Sequence, residues 1–399
     1  MLSIVGLLIG IGLFVYAVYK RVNILLASLA ACAIMSLFSR NPVYSALTGS
    51  YMTGAAQFLN KYFLMIMFSA VVGRLMSDGG GAKKISLVFE NLLKGGSAQR
   101  KKYFSVLFVA VLYFLFSYVG ISGYVLVFTV MPIARYLFKS TDTPWRLYCF
   151  GGAQIAGSNM LLGSLNQSNI YAADVCGTTT TAGGILSIVA TAIWWIVTLI
   201  LIQCFLKGSE KNHEDFMTDG AEIMKSADME QKTDHEELPT LMASLVPLIL
   251  VVACTAIWKL AIVKALCLGC AAAVILFYKR LKANLIQCLS KGVTDCYGSA
   301  FTVAALYGFG TVVKALPAFL IFSEALSTLP GFWGGSVLGI VAAFIIAGSP
   351  IPIFGSQILE SYLSAGMSPE LTHRMMTITG WSSIAPHNAG LSNSSSVTK

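Results

Sequence analysis

The chain has 399 residues, of which 56% are hydrophobic and 11% charged, with a formal net charge of +9 and a mean hydropathy of +0.74. About a quarter of the residues of a soluble globular domain are charged, so this composition excludes one and implies a polytopic membrane protein. The charge is uneven: residues 207–237 hold ten acidic and four basic side chains, a local net of −6, which leaves +15 on the rest.

That surplus falls in short loops between apolar runs, as the positive-inside bias produces, and no basic-aromatic stripe accompanies it; a nucleic-acid partner is therefore not expected. Along the chain, the first apolar run, 2–19, is followed by Lys20-Arg21 and a second run, 22–38, without a small-residue cleavage site. This predicts a retained helical hairpin. Runs of the roughly 17–25 residues that a spanning helix needs follow at 55–76, 184–205, 241–258, 262–278, 301–322 and 333–347. The stretch 103–138 is long enough for two helices turning near Gly120 and Gly123. The expectation is an all-α polytopic membrane protein with about ten transmembrane helices, plus shorter polar pieces read as half-helices.

The basic clusters at 20–21, at 83–84 with Lys94 and 100–102, at Arg135, Lys139 and Arg146, and at 279–282 are separated by even numbers of crossings over most of this map. They can share the cytoplasmic side, with the N-terminus outside. The acidic segment has the composition of a disordered linker. The chain therefore divides into an N-terminal repeat (1–206), a polar linker (207–240) and a C-terminal repeat (241–399). Internal echoes support the duplication. Val72-Gly73-Arg74-Leu75 leads into an amphipathic stretch at 85–93 as Phe309-Gly310-Thr311-Val312 leads into 319–326, and Ile155-Ala156-Gly157 is echoed by Ile378-Thr379-Gly380. Most of the nine cysteines lie in apolar runs and behave as small hydrophobes. Cys267 and Cys270 lack a second Cys or His pair, so neither a metal nor another cofactor is expected.

Two stretches, 157–181 and 348–395, are rich in Gly, Ser, Thr and Asn although spanning segments frame them. Irregular polar backbone at membrane depth persists only where protein buries it or where it lines a wet cavity, and a chain that does this twice is built to hold a polar solute. In the first stretch, Gly163-Ser164-Leu165-Asn166-Gln167-Ser168-Asn169 concentrates carboxamides and hydroxyls. The Gly177-Thr178 run then reads as the N-cap of the helix that follows, whose free N–H groups favour an anion. The alternative is a capped helix whose Asn and Ser hold helices together. In the second stretch, Gly380-Trp381-Ser382-Ser383-Ile384-Ala385-Pro386-His387-Asn388 breaks a helix and offers hydroxyl, imidazole and amide groups; His387 titrates near neutrality and suits substrate binding or the coupled proton. Asp174 is either a proton-coupling carboxylate or the cap of the following turn. Arg374 either attracts the anion or marks a helix end. Glu324 and Glu360 read as interfacial, and Asp295 and Lys314 as snorkelling near segment ends.

The Gly73-Arg74-Leu75-Met76 motif with Ser77 to Ala82, the block from Asn169 to Gly177-Thr178, and His373-Arg374 followed by Pro386-His387-Asn388 resemble the GntP-type gluconate permeases of the ion transporter superfamily. The resemblance runs from about Val22 to Gly390. It implies proton-coupled uptake of gluconate or a related hydroxy acid across the cell membrane by a homodimer. It also implies two inverted repeats whose re-entrant loops meet at the substrate, and an elevator-like movement. Carried over by residue, it places Ser164, Asn166, Asn169, Gly177 and Thr178 on the first binding loop and Ser382, Ser383, His387 and Asn388 on the second. Leu162 and Leu165 stand where the family tends to have prolines, which points to a different acid. The family also tends to continue through a further span after the Pro-His block, so the second repeat is expected to be incomplete. Rival readings are a membrane-embedded enzyme, against which there is no H-E-x-x-H or G-x-S-x-G motif, and a channel-like protein without coupled transport.

Overall fold

The computed structural model describes residues 2–20, 22–121, 123–218, 220, 238–258, 260–327, 329, 332–346 and 349–380. Every regular element among them is helical. In chain order these are α1 (Leu2–Tyr19), α2 (Ile24–Phe38), α3 (Val43–Asp78, π-helical at Ala46–Tyr51), α4 (Gly81–Leu92), α5 (Ala98–Tyr118) and α6 (Gly123–Ser140). Then come α7 (Cys149–Met160), α8 (Gln167–Cys176), α9 (Gly184–Lys211), α10 (Leu241–Ala256) and α11 (Ile262–Leu281). The last are α12 (Leu285–Lys314), α13 (Pro317–Ser327), α14 (Trp333–Ile346), α15 (Ile351–Ser364) and α16 (Pro369–Thr379).

Six of these helices, α1, α3, α5, α9, α11 and α12, are long and apolar enough to cross a membrane, and the shorter apolar segments Ile24–Phe38, Leu241–Thr255 and Trp333–Ala343 accompany them. The protein is an all-helical polytopic membrane protein. The 103–138 stretch divides as expected: α5 ends at Tyr118, Gly120 turns the chain with φ +93°, and α6 begins at Gly123. The expected span at 301–322 is corrected. The helix that contains its first part begins earlier, at Leu285, and stops at Lys314, and a separate helix starts at Pro317. Proline has no N–H to donate and restricts the residue before it, so an apolar run that reads as continuous is cut there.

The described helices form two compact units, one within 2–63, 159–190 and 298–380 and the other within 64–158 and 191–297. In the first, α1 and α2 pair closely: a Cβ on Gly6 would lie 2.3 Å from Phe38 Cβ and one on Gly10 2.3 Å from Met35 Cγ. Phe14 stacks on Phe309 with ring centroids 4.8 Å apart, and Ser28 and Tyr51 share a buried hydrogen bond of 2.8 Å. The same unit packs α8, α14, α15 and α16 together. There Tyr362 is buried against Gly335, and its hydroxyl is 3.0 Å from Ser336 Oγ.

In the second unit, α10 pairs with α11 and α4 packs on α6, where the Ser86 hydroxyl donates to the Ile133 carbonyl at 2.7 Å. Tyr113 and Tyr148 share a buried 2.6 Å hydrogen bond. Arg74 bonds Asp78 one turn along α3 at 3.0 Å and lies 3.8 Å from Asp295, so Asp295 has a cationic neighbour within the protein.

Gly73 sets the spacing between α3 and α6, because a Cβ there would lie 2.1 Å from the Phe128 carbonyl oxygen, a backbone atom that cannot swing aside. Gly73→Val is expected to lower unfolding stability in detergent by about 1–3 kcal/mol, as overpacking does. Gly12→Ala, where nothing lies within 4 Å, should leave the melting curve in place. Equal curves for the two variants would show that the Gly73 contact does not set the packing.

Candidate functional site

Within the first unit, the loop after α7, helix α8 and the turn 177–183 fold back as a polar hairpin against α16. Asn166 caps α8, its side-chain oxygen accepting from Ser168 N at 3.0 Å. Ser164 is fully buried, and its Oγ accepts from Asn166 N at 3.2 Å. Gly163 N donates to the Thr180 carbonyl at 3.0 Å, which joins the two arms of the hairpin.

Gly177 does not cap the start of the following helix, as the sequence suggested. It terminates α8 in the left-handed conformation, φ +63°, with its N–H bonded to Ala173 O. A residue without a Cβ takes that conformation at little cost, which is why glycine ends helices this way. The consequence is electrostatic. The turn that follows presents carbonyl oxygens inward, where a helix start would have presented N–H groups, and a cation meets them.

That cation is Arg374, in the middle of α16 and completely buried. Its Nε donates to Ala182 O at 3.2 Å and its Nη2 to Ala182 O at 2.7 Å and Thr180 O at 3.4 Å. Its Nη1 donates to the carbonyls of Asn159 at 3.0 Å and Met160 at 2.9 Å. It also reaches Asn169 Oδ1 at 3.3 Å and Thr377 Oγ1 at 3.4 Å. The guanidinium thus caps the open carbonyl end of α7 and holds the turn after α8 at the same time. No carboxylate among the described residues pairs with it. Gly183, at φ +78°, permits the approach, since a Cβ there would lie 2.6 Å from that of Arg374.

Asn169 is fully buried, and its side-chain amide is committed in every direction. Nδ2 donates to Ser164 O at 2.7 Å and Thr180 O at 3.1 Å, while Oδ1 accepts from Arg374 and lies 2.8 Å from His373 Nε2. Two carbonyls on one side and a guanidinium on the other fix which amide atom is which. His373 Nε2 must therefore carry a proton, and in the neutral ring Nδ1 accepts from the Thr178 hydroxyl 2.7 Å away. A second full charge beside a buried guanidinium is unfavourable, which keeps the imidazole neutral. Cys176 Sγ and Met376 Sδ, 3.5 Å apart, extend the contact between α8 and α16.

The structure thus gathers Ser164, Asn166, Asn169, Gly177 and Thr178 into one hairpin, with Gly177 exposed and Thr178 half-buried at its rim. Asp174 is exposed on α8 and caps neither end of it. Ser382, Ser383, His387 and Asn388 lie outside the described residues. His373 and Arg374 are the members whose role the sequence did not reveal. Arg374 neither marks a helix end nor keeps free N–H groups; an Arg within 371–379, a stretch without an acidic side chain, was the available signal. Asn159 Oδ1, beside the carbonyl that Arg374 engages, is buried and has no donor among the described residues.

Arg374→Leu leaves the Asn159 and Ala182 carbonyls without a donor, whereas Met160 O keeps the Ser187 hydroxyl and Thr180 O keeps Gly163 N and Asn169 Nδ2. We expect a loss of about 3 kcal/mol or more, given about 1–3 kcal/mol for each unsatisfied buried group, and faster amide exchange across residues 161–183 in hydrogen–deuterium exchange mass spectrometry. Arg374→Lys keeps the charge but not the fork of donors, so it should fall between. Unchanged exchange in Arg374→Leu would show that the hairpin holds itself.

Known proteins resemble the chain in sequence. The model of the GntP family permease matches residues 2–290. A curated relative, described as the uncharacterized transporter YxjC of Bacillus subtilis (strain 168), is 24% identical over 450 aligned residues, covering 98% of this chain and 91% of the relative. Apolar spanning helices, a polar hairpin folded among them and a family model spanning most of the sequence agree: the chain belongs to the GntP permease family and is a multi-pass membrane transporter.

Proposed function

We propose that the protein is a secondary active permease that imports a small organic hydroxy acid such as gluconate, by proton symport, across the cell membrane. The observation that carries this reading is Arg374, a buried full positive charge with no acidic partner among the described residues, set inside a hairpin of hydroxyl, amide and carbonyl groups. A positive field in a low-dielectric site favours an anion even where the guanidinium itself is occupied by carbonyls. The unmet Asn159 Oδ1 suits a hydroxyl donor on the same solute. Substrate contacts are proposed for the rim of the hairpin at Asn166, Gly177 and Thr178, with Ser164 and Asn169 ordering it from inside. Asp174 is proposed as the proton-coupling carboxylate.

The second loop is proposed on the order of elements. The helical hairpin α1–α2, the long α3, the short α4, then α5, α6 and the 12-residue α7 are matched by α10–α11, α12, α13, α14, α15 and the 11-residue α16. Such a series supports two repeats, read here as inverted, in a homodimer. Asn169 lies nine residues beyond the end of α7 at Met160, and Asn388 nine residues beyond the end of α16 at Thr379. Ser382, Ser383, His387 and Asn388 are accordingly assigned to the opposing half of the site, with His387 a second candidate for the coupled proton.

Purified protein in sealed vesicles should accumulate labelled gluconate, glycerate or 3-hydroxybutyrate under an inward proton gradient and release it when a protonophore collapses that gradient. Accumulation that ignores the gradient would refute symport, and conversion of the solute without accumulation would point to an enzyme.

A further inference from the structure

Lys61 lies within the spanning helix α3, inside the apolar stretch 55–76 and not at its end. An ammonium within an apolar spanning stretch is costly unless water or a counter-charge reaches it, and intramembrane lysines are accordingly found on cavities or in pairs. Its surroundings all belong to the first compact unit. Nζ stands 4.2 Å from the ring centroid of Tyr171 and 5.5 Å from that of Tyr62, and the two tyrosine hydroxyls are hydrogen-bonded to one another. A ring face attracts a cation without occupying its N–H groups. No acceptor among the described residues takes a hydrogen bond from this ammonium, and no carboxylate touches it.

Asp174 lies three residues beyond Tyr171, on the same side of α8, and so on the side of that helix over which the Lys61 ammonium stands. Lys61 and Asp174 are both exposed, while Tyr171 is half-buried. An exposed ammonium and carboxylate facing acyl chains would be doubly unfavourable, so the surface they share fits contact with water beside the polar hairpin. His373 and Arg374 of α16 approach α8 at Asn169, about 140° around the helix from Asp174 at 3.6 residues per turn. On α15, the Tyr362 hydroxyl is turned towards Ser336 and Thr379. Among the described residues, Lys61 is thus a charged group on the Asp174 side of α8.

We propose that Lys61 is the cation that engages the substrate carboxylate, and that a proton on Asp174 leaves the Lys61 charge unmatched and open to that carboxylate. The inference rests on the symport reading and adds a mechanism to it. With Asp174 ionised, the pair is neutral and an incoming anion is opposed by the aspartate. With a proton taken from the outside medium, Asp174 is neutral and the Lys61 ammonium, three N–H donors on a flexible stem, binds the carboxylate. Release of the anion and return of the proton to the cytoplasm restore the pair, so one charge never travels without the other.

The test is done on the full chain in lipid vesicles made permeable to the reagent from both sides. A water-soluble, lipid-impermeant acylating reagent should modify Lys61, read by peptide mass spectrometry, and saturating gluconate, glycerate or 3-hydroxybutyrate should reduce the modification several-fold. Lys61→Gln should weaken binding of the protecting acid at least tenfold and Lys61→Arg less, with both variants eluting as the parent does in size-exclusion chromatography. In Asp174→Asn the acid should still protect Lys61, while accumulation driven by a proton gradient is lost. Proton-driven uptake by a parent whose Lys61 is never modified would place the ammonium against lipid or a second copy of the chain, and would overturn this inference while leaving the transport reading intact. Modification that is not reduced by an acid the parent accumulates would overturn this inference, and absence of proton-driven accumulation would overturn the transport reading. Should Lys61→Gln fail to elute as a folded species, undiminished affinity in Lys61→Arg together with unprotected acylation in the parent decides against the proposal.

Discussion

The polar hairpin depends on one constraint: backbone carbonyls held at membrane depth need donors, and water is scarce there. Helix α7 ends at Met160 with its last carbonyls open, as every helix does, and the turn 177–183 adds more. A guanidinium is suited to this because it carries five N–H donors in a rigid plane and cannot lose its charge under ordinary conditions. Arg374 directs those donors to Asn159, Met160, Thr180 and Ala182, and Asn169 completes the arrangement from within. The same atoms that settle the backbone also set the sign of the field in the hairpin, so fold and electrostatics are one arrangement seen twice.

Around that hairpin, close approach of helices is governed by small residues, because apolar side chains gain little from leaving lipid for one another. Gly6 and Gly10 bring α1 onto α2, Gly54 brings α3 within reach of Thr311 and Tyr307, and Gly339 makes room for Thr379 on α16. Hydroxyls then find partners across those short distances, as in Ser28 with Tyr51 and Tyr362 with Ser336. Each compact unit takes segments from both the early and the late part of the chain, so contacts such as Asn169 with His373 join residues some two hundred positions apart.

Hydropathy made the spanning helices legible because it depends on each residue's own preference for lipid over water, summed along a window. It failed at 301–322, where Pro317 cuts an apolar run without altering its hydropathy. The Gly177-Thr178 run was misread for a related reason. Glycine before a helix and glycine after one look alike in sequence, and only the left-handed φ at Gly177 shows that it closes α8. Asn169 was rightly noticed as an amide out of place among apolar residues, yet nothing local announces that its four hydrogen bonds are already taken.

What the sequence determined by itself was the class of protein, the placement of most spanning helices, the polar character of the 157–181 stretch and the family resemblance, since these follow from one-residue properties and short motifs. What only the tertiary structure decided was which groups face each other: that Arg374 fills a cage of carbonyls, that His373 is bracketed by Asn169 and Thr178, and that Lys61 stands over Tyr171. The physical reason is that hydrogen bonds and charge contacts belong to pairs of residues, and the partners here are brought together by helix packing and not by their order along the chain.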